Sequence, residues 1–172
     1  MKRIILLLAS FALTSGIASA QAGHPGQENN LRGLKGIRLV VNLGSADGVD
    51  EADRPVILKT VEGDATAKLQ KAGIPLLRYT SEVEAAGSPQ LIINLTCDKL
   101  NGFVYPLVTN LKLRQRVRLT RDPSIESELV TWEQFGNGGP TLTVEMIRSQ
   151  VATEIDLFIR DYKAVNLITA EP

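Results

Sequence analysis

The chain has 172 residues, with 19 Lys and Arg side chains against 19 Asp and Glu, and 44% of its residues are hydrophobic. This balanced charge argues against binding to nucleic acid through general electrostatic attraction, because proteins of that kind carry an excess of basic residues. The length and the hydrophobic content are sufficient for one ordinary domain with its own core.

The first twenty residues have the three parts of a secretory signal peptide. Lys2 and Arg3 are basic, residues 4–13 are apolar, and residues 18–20 (Ala-Ser-Ala) form a typical cleavage site before Gln21. The apolar run is shorter than the about 20 residues that a membrane-spanning helix needs. We therefore expect cleavage between Ala20 and Gln21, and a periplasmic or secreted protein without a membrane span.

The mature chain offers few residues for catalysis or metal binding. Cleavage removes Lys2 and Arg3 and leaves 17 basic and 19 acidic residues, a net charge of −2. Cys97 is the only cysteine and therefore cannot form an intramolecular disulfide, and Gln21 stands where a lipid anchor would need a cysteine. His24 is the only histidine, so a Ser-His-Asp triad and the usual zinc sites lack their central residue. We predict no catalytic residue, no metal and no cofactor.

The first elements follow from composition and period. Residues 21–34 are polar and aperiodic, and we interpret them as a flexible leader before a domain at 35–166 and a loose tail at 167–172. A strand buried on both faces is predicted at 37–43. A helix then runs from an N-cap at Asp53 to Ala72 and stops at Gly73. Its apolar face is predicted to comprise Leu58, Val61, Ala65, Leu69 and Ala72.

A short second strand is predicted at 74–79, which would complete a parallel strand-helix-strand unit with a right-handed crossover. A polar loop follows at 80–89. Residues 91–97 and 103–119 then alternate between apolar and polar, which is typical of strands with one buried face.

The two alternating strands form a hairpin whose register follows from the positions of the charged residues. A two-residue turn at Asn101-Gly102 would pair Leu91 with Lys112 and mix core with charge. A three-residue bulged loop at 100–102 instead pairs Cys97 with Tyr105, Leu95 with Leu107 and Leu91 with Leu111. We therefore predict the bulged loop, which directs Cys97 into the core.

The most distinctive candidate site is a basic row on the second of these strands. Period two places four side chains on one face, where they could bind an acidic partner or another anion: Lys112, Arg114, Arg116 and Arg118. The alternative is a solvated sheet face whose charges are neutralised by neighbouring side chains.

The strand that returns at 126–135, after a turn at 121–124, has two possible registers. Placing Arg118 opposite Glu126 and Arg116 opposite Glu128 largely neutralises the row. Placing Arg118 opposite Ser127 buries Trp132 opposite Leu113 and gives only Lys112 a carboxylate, that of Glu133. We favour the second register because it buries the only tryptophan, and it leaves a row of arginines open.

A final helix is predicted at 143–165, with an apolar stripe from Val144 to Val165 and with Glu154 among the residues of its other faces. The order β-α-β-β-β-β-α predicts an α+β domain, a mixed sheet with two helices packed on one face. Two further segments are weak candidates. The acidic stretch 47–53 lacks the spacing of a calcium loop, and the glycine-rich stretch 136–140 lacks the Gly-Lys-Ser/Thr ending of a phosphate loop.

Three phrases of the sequence carry a resemblance: LQKAGIP at 69–75, TW at 131–132 and IRDYKAVN at 159–166. With the order of elements, they resemble a group of uncharacterised small exported bacterial proteins. The design is similar to anticodon-binding-domain-like periplasmic modules of envelope assembly, such as the amino-terminal domain of the Tol system's propeller protein and certain outer-membrane lipoproteins. The resemblance implies no catalytic residues.

We therefore expect a non-enzymatic, protein-interacting module of the periplasm, with a role in envelope assembly or transport. The partner would be a protein or an anionic component of the envelope, and self-association into a homo-oligomer remains open. The alternatives are a small-ligand or anion-binding protein and, third, an enzyme with a carboxylate-based site.

Overall fold

The computed structural model describes residues 26–85, 87–100, 103–104, 107–137 and 143–166. The signal peptide, His24 and the tail at 167–172 lie outside these residues. The elements in chain order are β1 (Arg38–Leu43), α1 (Arg54–Lys71), α2 (Thr80–Ala85), β2 (Gln90–Thr96), β3 (Lys99–Leu100), β4 (Phe103–Val104), β5 (Val108–Leu119), β6 (Asp122–Asn137) and α3 (Val144–Val165).

A mixed sheet in the order β1-β2-β5-β6 forms one layer of the fold. β1 and β2 are parallel, and the other neighbours are antiparallel. The side chains of one sheet face form a single core with the buried stripes of α1 and α3. The α+β class with a single domain is therefore confirmed.

Helix α1 ends as predicted but buries a slightly different face. Gly73 has φ 79, which a glycine adopts without strain, and the N–H of Ile74 donates to Leu69 O at 3.0 Å. Asp53 occupies the N-cap position, but its side chain makes no capping hydrogen bond. Ile57 is buried with Val61, and not Leu58 as predicted, because the buried residues of this helix are four positions apart and Ile57 lies on that face.

The prediction that β1 is buried on both faces is wrong. β1 is an edge strand with only half-buried or exposed residues, and its parallel partner is β2, not the segment 74–79. That segment contributes one bridge, between Ile37 and Leu76. The backbone of Ile37 is bonded to Pro75 O and to the N–H of Leu77. β2 lies on the other side of β1, where the N–H of Arg38 donates to Pro89 O, and six residues of β2 pair with β1. Part of the predicted polar loop is helix α2.

The hairpin of β2 and β5 has the predicted faces but not the predicted register. Leu91 pairs with Leu113 and Leu95 pairs with Thr109, two residues further along β5 than expected. Each side chain nevertheless lies on its predicted face of the sheet, because a shift of two residues does not move a side chain to the other face. At the tip, Leu100 pairs with Phe103, so two residues separate the paired positions and not three.

We expect Cys97 to react with a thiol reagent only slowly in the folded protein. Its side chain is fully buried, and burial together with the neighbouring Asp98 raises the pKa of the thiol, which lowers the fraction of reactive thiolate. Thiol titration with and without denaturant measures this. The unfolded chain is the control and should react completely, whereas equally rapid labelling of the folded chain would contradict the burial of Cys97.

The N-terminal segment differs from the predicted flexible leader in residues 26–34. A 3-10 helix (Gln27–Leu31) packs its Leu31 into the core with no exposed surface. Asn166, at the end of α3, accepts from the N–H of Gly33 and donates to Leu31 O, both at 2.7 Å. Tyr162 donates to Leu34 O at 2.9 Å. The domain therefore includes residues before 35. The sequence did not indicate this, because Leu31 and Leu34 reach the core without forming a periodic pattern.

Helix α3 begins at Val144, where Thr143 caps the N–H of Met146. Its stripe packs on the sheet, and Trp132 contacts Phe158 edge to face with ring centroids 5.1 Å apart. None of the described helices is long and apolar enough to cross a membrane.

Candidate interaction surface

The hairpin of β5 and β6 extends beyond the rest of the sheet. β2 begins at Gln90, which pairs with Arg114, so residues 115–130 have no strand of the sheet on the β2 side. On that side the backbone of Gly87 accepts from the N–H of Arg116 at 2.9 Å. We name residues 115–130 the arm. Its turn lies at Thr120 and Arg121, because Leu119 pairs with Asp122, rather than at 121–124 as predicted.

Both predicted registers of this hairpin occur, on opposite sides of an irregularity at Thr131. Toward the core, Leu113 pairs with Trp132 and buries it; toward the tip, Arg118 pairs with Glu126. Thr131 is the extra residue between the two registers, as in a β-bulge. Its hydroxyl accepts from Gln115 Nε2 at 2.6 Å, and its carbonyl accepts from Asn30 Nδ2 at 2.7 Å.

The bulge corrects the prediction that the arginine row is open. Arg114 Nε lies 3.3 Å from Glu128 Oε2, and Arg118 Nη2 lies 2.8 Å from Glu126 Oε1. The other oxygen of Glu126 is 3.9 Å from Arg116 Nε. We name these five residues the charge ladder. Lys112, at the base, stands opposite Glu133. The structure thus brings together the four predicted basic residues and adds carboxylates that neutralise most of their charge.

The other face of the arm is apolar. Residues 115, 117 and 119 of β5 lie on the same side as Leu111 and Leu113, whose side chains are in the core. Their neighbours on β6 include Leu129, opposite Gln115, and Ile125. Ile125 and Leu129 are 42% and 48% exposed. The 3-10 helix reaches this face at its base, where Gln115 Nε2 donates to Asn30 O at 3.2 Å. The arm is therefore amphipathic, with a charged and an apolar face.

The outer edge of β6 has unpaired backbone groups along the arm. The N–H of Arg116 points toward Gly87, so in β5 the odd-numbered residues direct their backbone groups toward β6. Their partners on β6 are Ser127 and Leu129, and the N–H and C=O groups of residues 126, 128 and 130 therefore point outward. β6 pairs with no second strand within the described part of the chain.

The N-terminal 3-10 helix covers this edge only at its base. Gln27 Oε1 accepts from the N–H of Glu133 at 2.6 Å, and Asn30 Nδ2 donates to Thr131 O. These two side chains satisfy the outward groups next to the bulge. The uncovered length of the edge thus begins at Val130.

The sheet face that carries the charge ladder also has a row of amides. Asn42, Asn94 and Asn110 lie side by side on three strands, and Asn110 donates to Glu133 Oε1 at 3.0 Å. Phe135, opposite Asn110, is 49% exposed. This face therefore mixes polar and apolar residues, since Val40 and Ile92 lie in register with Lys112 between the amides and the ladder.

Ion pairs join the two long helices on the opposite side of the molecule. Lys68 pairs with Asp156 at 2.8 Å and Arg148 pairs with Asp64 at 2.6 Å, across a shallow groove that Lys71 and Lys163 also line. The bond to Asp64 raises the pKa of Arg148. These contacts hold α1 against α3, which gives them a structural role.

Glu154 is a buried acid that the sequence analysis placed on an outer face of α3. It has no exposed surface and contacts Thr109 on β5 and Gln150 on its own helix, whose Nε2 lies 2.9 Å from Glu154 Oε1. Glu154 Oε2 has no hydrogen-bond partner among the described residues. Its position three residues after Val151 and four before Phe158 is the signal that could have identified it, because those spacings lie on one helix face.

Burial and hydrogen bonding act on Glu154 in opposite directions. Burial has the larger effect and raises the pKa of the carboxyl group, whereas the hydrogen bonds from Thr109 and Gln150 lower it. The hydroxyl of Thr109 has one proton and is within reach of both Glu154 Oε1 and Gly136 O, so it donates to one of them at a time. Without exposed surface, this acid acts as a structural link between α3 and the sheet.

The structure adds little support for the two weaker candidate sites, the acidic stretch 47–53 and the glycine-rich stretch 136–140. Asp50 and Asp53 line a small pocket beside Thr143, but no group of three or more His, Cys, Asp and Glu residues in the described ranges could hold a metal. Gly136 lies in β6, where the absence of a side chain makes room for Glu154. Most of the glycine-rich stretch after it, residues 138–140, lies outside the described residues.

No protein-family model matches this chain, and no curated protein is significantly similar to it.

Proposed function

We propose that this chain is an exported, non-enzymatic interaction module that binds a protein partner through its arm. The observation that carries the proposal is the extension of residues 115–130 beyond β2, with the charge ladder on one face and exposed apolar residues on the other. Such a surface fits a protein partner, because protein interfaces combine an apolar centre with polar groups that fix orientation.

The two faces contribute differently to binding. Full burial of a side chain such as Ile125 or Leu129 stabilises a complex by about 1.5 to 3 kcal/mol, before the cost of association. The ladder arginines are held in place by Glu126 and Glu128. Charges of this kind mainly set the orientation of a partner and the rate of association.

Partner capture from a periplasmic extract tests this function. We expect wild-type protein to retain a partner that the variant Ile125→Ser with Leu129→Ser loses. The matched control is Val56→Ser with Met146→Ser, which changes two exposed apolar residues on the helices. Equal capture by wild type, arm variant and control would contradict the proposal.

Replacing Arg116 and Arg118 with glutamine should change the free energy of unfolding by less than about 1 kcal/mol, because exposed ion pairs contribute little. The rate of association with the captured partner and its dependence on salt should both change, because two charges of the ladder are lost. Chemical denaturation and surface plasmon resonance at two salt concentrations measure the two effects. Arg160→Gln, which removes an exposed ion pair on α3, is the control. Unchanged association kinetics would exclude the ladder from the interface.

A further inference from the structure

Resting on the proposed function, we propose that the outer edge of β6 in the arm binds an extended peptide segment in which basic and apolar residues alternate. The partner would add one strand to the sheet. The outward N–H and C=O groups of Glu126, Glu128 and Val130 would supply the main-chain hydrogen bonds. Polar side chains already bond to the base of the same edge: Gln27 Oε1 accepts from the N–H of Glu133, and Asn30 Nδ2 donates to Thr131 O.

The two ends of the available edge are defined. Pro123 has no N–H and limits strand addition near the tip, and the 3-10 helix occupies the edge from Thr131 onward. Residues 124–130 remain, which corresponds to about 20 Å of extended chain. A segment of about six or seven residues therefore fits the site.

The charge ladder selects basic side chains on one face of the added strand. Residues of that strand would lie about 5 Å from Glu126 and Glu128, and about twice as far from the arginines of β5. Glu126 and Glu128 are 39% and 44% exposed, so they remain accessible from the edge side. Because the nearer row dominates the interaction in screened solution, lysine or arginine is favoured and aspartate or glutamate is repelled.

The other face selects apolar side chains. Ile125 and Leu129 lie on the side of the arm away from the ladder, and both are exposed next to the edge. Side chains of an added strand alternate between the two faces, so every second residue would contact these apolar groups. The edge thus selects which residue types the peptide contains and requires that they alternate, whereas a simple acidic patch would select only for positive charge.

Fluorescence anisotropy with synthetic peptides tests the inference on the mature chain. The probe is a labelled peptide of alternating Lys and Val, about eight residues long. We expect it to bind at least about tenfold more tightly than a Glu-Val peptide and than a peptide with the same Lys and Val in two blocks. N-methylation of the peptide at the residues whose N–H groups face β6 should abolish binding. N-methylation at the intervening residues should preserve it.

Two variants of Glu128 distinguish the contribution of its backbone N–H from that of its carboxylate. Glu128→Pro removes an outward N–H and should eliminate binding, whereas Glu128→Gln keeps the N–H and should bind with reduced preference for lysine. Thermal unfolding establishes that both variants are folded, and the methylated peptides give the same test on wild type. Equal binding of all three peptides, or binding that survives both methylation patterns, would overturn the inference. If the peptides fail while arm-dependent partner capture persists, the proposed function stands and strand addition is wrong.

Discussion

Gly136→Ala should lower the free energy of unfolding by about 2 to 3 kcal/mol, because the core has no room for the added methyl group. A methyl group at this position would overlap Glu154 Oε1 and Gln150 Nε2 and crowd Thr109 Oγ1. The backbone of Gly136 does not have a positive φ, so space and not conformation is the constraint. Urea denaturation measures the change.

Gly63→Ala is the matched control. Gly63 lies in α1, and a methyl group there meets no atom within 4 Å. This variant should be more stable than wild type by up to about 1 kcal/mol, because alanine has the higher helix propensity. Similar effects of the two substitutions would contradict the tight packing around Glu154.

Glu154→Gln should remove a pH dependence of stability. Burial raises the pKa of Glu154 in the folded chain. Between the ordinary glutamate pKa and the raised value, the unfolded chain therefore releases a proton that the folded chain retains. The wild type consequently loses stability as pH rises through this window, by about 1.4 kcal/mol for each unit between the two pKa values. Glutamine keeps the shape and a donor for Thr109 without titrating.

Unfolding free energies from pH 4 to pH 8 test this expectation. Wild type and Glu154→Gln should differ least at the acid end, and the variant should be the more stable protein at the alkaline end. Glu145→Gln removes an exposed carboxyl from the same helix and serves as the control for the loss of one negative charge. A parallel profile for Glu154→Gln would mean that Glu154 is ionised in the folded state.

Local signals in the sequence predicted the helices and strand faces well. Gly73 predicted the end of α1, and alternation predicted that Leu91, Ile93 and Leu113 face the core. Register was harder, because a slip of two residues leaves every face unchanged. The hairpin of β5 and β6 satisfied both predicted registers, since Thr131 takes up the extra residue without any glycine to signal a bulge.

Long-range contacts explain what the sequence did not predict. Segment 74–79 has a strand composition, but it forms only one parallel bridge, between Ile37 and Leu76, while β2 pairs with six residues of β1. Leu31 is buried although its neighbours are polar, because β6 and α3 supply its surroundings. Of the candidate site, the basic row was predictable from period two. Its carboxylate partners depended on a bulge that period two does not reveal.

The contact between residues 31–33 and Asn166 has a consequence for the order of folding. Gly33 and Leu31 are bonded to Asn166, more than 130 positions away in the sequence. Contacts of such large sequence separation form slowly, because a long loop must close before they are gained. During synthesis, residues 31–33 therefore cannot make these bonds before α3 is available, and a fragment that ends before α3 would leave Leu31 partly uncovered. Closure of this domain thus depends on two segments that are synthesised far apart in time.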